Sequence, residues 1–151
     1  LTARAPIDAA AAKLGITVRH VDIRTAGDFR EAYAVLAKEP PGALLVTPNP
    51  VSFAERRRLA AFGLERRLPV LFGWREFMDA PGLAALGASL EKLWWDAAGQ
   101  VDAVLRGAAP ASTPFELPRY ELVLNAATAR ALGLELPRPL VERADAVIDV
   151  R

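Results

Sequence analysis

A chain of 151 residues, 52% apolar and 25% charged, has the make-up of one ordinary globular domain that can bury about 68–70% of its unfolded surface, well away from the compositions of disordered chains. Nineteen basic residues against eighteen acidic ones leave a formal charge of +1, too weak a field to draw nucleic acid or an anionic membrane, so no nucleic-acid partner is expected. There is no cysteine, which excludes disulfides, thiolate metal sites and a cysteine nucleophile, and no apolar run reaches the roughly 18–20 residues of a membrane helix.

In chain order, Pro6 to Leu14 is predicted as a short helix, with Ile7, Ala11 and Leu14 at helical spacing and Gly15 just past its end. The β-branched run Val18 to Ile23 predicts a strand. Asp28 then precedes Phe29, Ala32, Tyr33 and Leu36 at amphipathic-helix spacing. After Pro40-Pro41-Gly42, the continuous apolar run Ala43 to Thr47 predicts a parallel strand covered on both faces. Thr47-Pro48-Asn49-Pro50 cannot continue a ladder, and Ser52 is a plausible N-cap for a helix to about Arg66. Pro69 to Gly73 is the next strand, followed by a loop from Trp74 to Gly82 and a small strand from Leu83 to Leu86.

Ser89 can cap a long helix whose stripe runs Leu90, Leu93, Trp94, Ala97, Val101, Val104 and Leu105, ending at Gly107. Ala108 to Pro118 reads as a connector. Tyr120 to Asn125 alternates as a strand with one drier face, Ala126 to Leu132 follows as a helix stopped by Gly133, and the tail from Pro137 holds a helical turn and an extended segment, Ala146 to Val150. This alternation predicts an α/β fold: three layers, a mostly parallel sheet with helices on both faces and right-handed crossovers. A doubly wound unit normally opens on a strand, whereas this chain opens on a helix, so upstream sequence is expected to be missing.

Ligands of open parallel sheets bind beyond the carboxyl ends of the strands, which here means Thr47–Ser52, Gly73–Glu76 and Gly87–Ser89. In the first, two prolines fix Asn49, an amide able to orient a polar group; Pro-Asn-Pro is also ordinary loop chemistry. In the second, Trp74 could stack on a ring and Arg75 could pair with a carboxylate, although Trp74 could equally close the core and Arg75 and Glu76 form a solvated pair. The helix start at Ser89 adds weak anion affinity. Arg56-Arg57-Arg58 fan around a helix and read as a solvated first turn, and His20, inside a predicted strand, reads as structural. Trp94 continues the apolar stripe, whereas Trp95 points elsewhere and could face a neighbouring lobe or subunit. No phosphate loop, nucleophile elbow, metal-spaced cluster or paired carboxylates stand at one strand end, so no catalytic residue, metal or cofactor is expected.

Taken together, Gly42 to Pro50, Arg56-Arg57-Arg58, Arg67-Leu68-Pro69-Val70, Arg75 to Leu83, Tyr120 to Asn125, Thr128 to Leu134 and Arg143-Ala144-Asp145 resemble, in order and spacing, the ABC-transporter substrate-binding proteins of the two-lobed periplasmic type, whose members include aromatic amino acid binders. The resemblance implies one lobe of a type I periplasmic-binding-protein fold, with residues 1–151 forming the second lobe and the N-terminal lobe and first strand lying upstream. It implies capture of a small solute, amino-acid-like or an aromatic carboxylate, between two lobes for delivery to ABC permease subunits outside the cytoplasmic membrane, in anchored or soluble form. It implies solute contacts at Asn49, Pro50, Trp74 and Arg75, to which the strand-end segments add Glu76 and Ser89 as candidate ligand-binding residues. Relatives often carry aspartate at the Asn49 position and Gly-Gly where Pro81-Gly82 stands, so ligand identity is not carried over. A lobe with a bare apolar face is also expected to form a homodimer when isolated. A stand-alone flavodoxin-like signalling or protein-interaction domain is the alternative.

Overall fold

The computed structural model describes residues 4–112 and 117–150, so part of the connector expected over Ala108–Pro118 lies outside the described residues. The chain forms two compact units, Leu1–Pro40 and Pro41–Arg151.

In the first unit, α1 (Arg4–Leu14) ends at Gly15 in the left-handed region (φ 66°), and α2 (Asp28–Lys38) buries Phe29, Ala32 and Leu36. The helix spacing, Gly15 stop included, is as the sequence indicates. Asp28 also accepts from the backbone N–H groups of Arg24 and Thr25, which fixes the turn into α2 and holds its carboxyl below the ordinary range. The strand expected over Val18–Ile23 does not form. The described residues of this unit contain two helices and no second strand, so an extended segment has no ladder to join. It is held by side chains instead: Arg19 bonds Glu39, Arg4 bonds Asp22, and His20 Nε2 lies 2.7 Å from Asp8.

The second unit holds a five-stranded sheet in chain order, β1 (Leu44–Val46), β2 (Val70–Phe72), β3 (Ala84–Ala88), β4 (Tyr120–Asn125) and β5 (Ala146–Ile148). Neighbours are parallel except β3 and β4, which run antiparallel with Ala84 opposite Leu124 and Ala88 opposite Tyr120. The α/β fold with a mostly parallel sheet is therefore as expected, with one reversal. The core lies along β2 and β4, where Phe72, Val123 and Leu124 are almost fully buried. Full burial of such a side chain contributes about 1.5–3 kcal/mol. The expected burial of β1 on both faces is not observed: it is an edge strand and Leu45 is 60% exposed.

The helix expected from Ser52 to Arg66 is two helices, α3 (Pro50–Ala54) and α4 (Arg56–Glu65), and its N-cap is Asn49. Asn49 Oδ1 accepts from Ser52 N–H (2.9 Å) while Asn49 N–H donates to Ser52 Oγ (3.1 Å), a reciprocal capping box with Pro50 at the first helical position. The break at Glu55 has a local cause: the carbonyl of Phe53, which a continuous helix would give to Arg57, accepts from the Arg56 guanidinium at 2.8 Å. Farther on, α6 (Ala126–Leu132) ends at left-handed Gly133, and α7 (Arg138–Arg143) leads into β5. Asn125, fully buried, caps α6 through Oδ1 and donates from Nδ2 to Val150 O, tying the tail to the end of β4.

The long helix α5 (Leu90–Leu105) begins at Ser89 as expected, but it buries no residue. Trp94 and Trp95 are 73% and 72% exposed, and Val101 and Leu105 are exposed as well.

Candidate functional site

The carboxyl ends of β1, β2 and β3 meet by close backbone approach. A Cβ on Gly73 would lie 2.5 Å from Pro48 Cδ, and a Cβ on Gly87 would lie 1.6 Å from the Gly73 carbonyl oxygen and 3.3 Å from Trp74 Cδ1. Glycine at both positions lets the Pro48 ring, the β2 exit and the β3 exit stack without side chains between them. The Trp74 indole is thereby set against Gly87.

An aromatic cluster supports that indole from below. Phe77, on the 3-10 turn Arg75–Asp79, is fully buried and meets Phe72 (4.9 Å between ring centres), Phe53 (5.1 Å, edge-on) and Trp74 (6.1 Å, edge-on). The turn is clamped at its far end by Arg56, whose Nε and Nη2 bond the two oxygens of Asp79 at 2.5 and 2.6 Å while the guanidinium lies 4.2 Å over the Phe53 ring. Arg56 is thus a packed anchor and not a solvated residue; Arg57 reaches Asp79 at 3.2 Å and Arg58 pairs with Glu55. The Arg56 guanidinium, aided by Arg57, holds the Asp79 carboxyl below the ordinary carboxylate range.

The antiparallel β4 brings its first residues to this same end of the sheet. Glu121 is in register with Gly87, and its Oε2 accepts from Arg75 Nη1 at 3.0 Å. The Glu121 side chain is 19% exposed and that of Arg75 49%. Glu76 turns the other way: Oε1 accepts from Leu90 N–H at the start of α5 (2.9 Å), while Oε2 is buried with no hydrogen-bond partner among the described residues. Ser89 is buried, and its Oγ accepts from Lys92 N–H at 3.3 Å.

Of the residues singled out in the sequence, Trp74, Arg75, Glu76 and Ser89 are therefore gathered at one end of the sheet, with Asn49 and Pro50 following the Pro48 that packs on Gly73. Asn49 and Pro50 also build the start of α3, and Ser89 builds the start of α5. The sequence does not single out Glu121, because a parallel strand would carry it to the opposite end; its one local signal is a carboxylate directly preceding the apolar run Leu122-Val123-Leu124. His20 lies in the first unit, bonded to Asp8. Among the described residues no group of three or more His, Asp or Glu side chains converges as a metal site would. A shallow concavity of about 450 Å³ beside Ala126, Arg130, Gly133 and Leu136 lies at the other end of the sheet, where β4 finishes.

Several solved structures share this fold. The chain superimposes on a conserved domain protein from Vibrio cholerae with a TM-score of 0.82 at 20% identity, covering 95% of this chain and 48% of that one. An ABC domain in complex with L-Trp from Streptococcus pneumonia gives 0.84 at 21% identity, over 95% and 49%. The ligand-free, open structure of a substrate binding protein with adhesive properties from Clostridium difficile gives 0.68 at 19% identity, over 96% and 48%. This chain thus spans about half the length of each. No curated protein matches it by sequence. The family model of the ABC transporter substrate binding proteins, a family of binding proteins rather than enzymes, matches residues 4–148, nearly the whole sequence. The chain belongs to the ABC transporter substrate-binding protein family.

Proposed function

We propose that residues 1–151 are one lobe of a two-lobed receptor that closes on a small solute and presents it to ABC permease subunits outside the cytoplasmic membrane. The observation that carries this reading is the convergence of Trp74 and Arg75 at strand ends welded together through Gly73 and Gly87. Arg75 would pair with a solute carboxylate and Trp74 would cover an apolar group. Asn49, whose side-chain oxygen is committed to Ser52, would offer its amide N–H groups to a polar one. The solute class is an amino-acid-like molecule or an aromatic carboxylate; the L-Trp bound to the Streptococcus relative is in keeping with it.

Helix α5 favours a second lobe as the closing surface. A 16-residue helix with no buried side chain is marginal by itself, since helices in proteins draw most of their stability from packing an apolar face. The exposed stripe around Trp94, Val101 and Leu105 would be covered by the other half of a chain as long as those of the structural relatives. Nothing supports a homodimer of the lobe, and the family match disfavours a stand-alone flavodoxin-like signalling domain.

A thermal-shift screen of the protein against L-amino acids, aromatic acids and small carboxylates tests the reading, because a solute that binds only the folded state raises its Tm. A hit lost in Arg75→Ala and Trp74→Ala supports it; no hit, or a hit indifferent to both substitutions, counts against it.

A further inference from the structure

We infer that Glu121 is a specificity-determining residue of the strand-end site, admitting solutes that carry an ammonium beside their carboxylate and turning away plain carboxylates. This inference rests on the proposed role of that site. Arg75 is the group a solute carboxylate would seek, yet it is already bonded to Glu121 at 3.0 Å. A bare carboxylate has either to displace Glu121, leaving a four-fifths buried anion without its partner, or to share one guanidinium with it, bringing two anions together.

Glu76 lies next to Arg75 in sequence but turns its carboxylate back to the start of α5, so the carboxylate that Arg75 holds is that of Glu121. One Glu76 oxygen is occupied by Leu90 N–H, and the other is buried without a donor among the described residues. The Arg75–Glu121 pair is therefore a poor trap for a simple anion and a good one for a molecule with both charges. A zwitterion can enter the Arg75–Glu121 pair with opposite polarity, its carboxylate on Arg75 and its ammonium on Glu121, so that every charge keeps a partner. Rejection by an unpaired charge discriminates more strongly than any gain in apolar contact. An amine lacking the carboxylate would be rejected for the converse reason, since Arg75 would lose its anion.

Isothermal titration of the protein with L-phenylalanine, 3-phenylpropionate and phenethylamine, and with L-leucine, 4-methylpentanoate and isopentylamine, tests this directly. The expected result is that an amino acid binds at least about 10-fold tighter than its deaminated and decarboxylated partners, and that Glu121→Gln narrows the amino acid to carboxylate ratio by about 10-fold by weakening the first and tightening the second. Merely structural loss in Glu121→Gln would lower both affinities by the same factor, and that outcome overturns the inference, as does a wild-type protein that prefers the carboxylate. Either result leaves the solute site itself standing. Silence with all six compounds overturns the solute site, and the inference with it.

Discussion

The Gly73 carbonyl oxygen and the Gly87 Cα stand so close that a methyl group on Gly87 would reach within 1.6 Å of that oxygen. The obstacle is backbone and not the end of a flexible side chain, so Gly87→Ala can be accommodated only by parting β2 from β3. We expect it to destabilise the second unit by about 3 kcal/mol or more in urea unfolding, and to expose Trp74 as it does so. A variant as stable as wild type would mean that the two strand ends are not locked together.

Arg56 and Asp79 hold the other end of the same turn. The folded-state pKa of Asp79 is depressed, chiefly by the Arg56 hydrogen bond, so the stability this pair contributes is fully present above the ordinary aspartate value of 3.8 and is lost as pH falls through the lower folded value. Asp79 is 42% exposed, so solvent screening limits the effect, and Asp79→Asn is expected to cost about 1 kcal/mol or less at pH 7. The gap between wild type and Asp79→Asn in urea midpoints should be constant from pH 7 to 5 and close below pH 4; a gap that widens on acidification would contradict this assignment.

Asn49 has a structural duty separable from the solute contact proposed for it. Asn49→Ala removes the α3 cap and is expected to cost about 1 kcal/mol, whereas Asn49→Asp retains an oxygen acceptor and should restore most of it. Equal losses in both variants, measured by thermal unfolding, would show that the capping box contributes little.

Trp94 and Trp95 are largely exposed. Serine at both positions should therefore change the unfolding free energy of residues 1–151 by less than about 0.5 kcal/mol. In a longer protein carrying the proposed second lobe the same substitutions should lower the melting temperature, because there the α5 stripe would be covered. A large loss in residues 1–151 alone would mean that α5 packs on this chain.

Much of this architecture can be read from residue order. Caps and stops are local chemistry, so α2, the Ser89 start of α5 and the Gly133 stop of α6 follow from a few neighbouring residues. What the sequence hides is non-local. Val18 to Ile23 has strand composition but no strand beside it, and β1 reads as buried because an apolar run does not reveal whether its faces are covered. Ser52 and Asn49 both look like caps, and only Pro50, with its preference for the first helical position, favours Asn49. At the site, strand-end logic picks out Trp74 and Arg75, whereas Glu121 depends on the reversal of β4, which no single residue encodes.

The most direct test of the strand-end site is the ¹H–¹⁵N spectrum of the protein, with the Trp74 indole and Arg75 guanidinium resonances assigned, during titration with L-phenylalanine and L-leucine. These two side chains and the Gly87 amide are expected to shift together and saturate along one binding curve, while Gly133 and Leu134 at the opposite end of the sheet stay fixed. Saturable shifts confined to Gly133 and Leu134, or none anywhere, would contradict it.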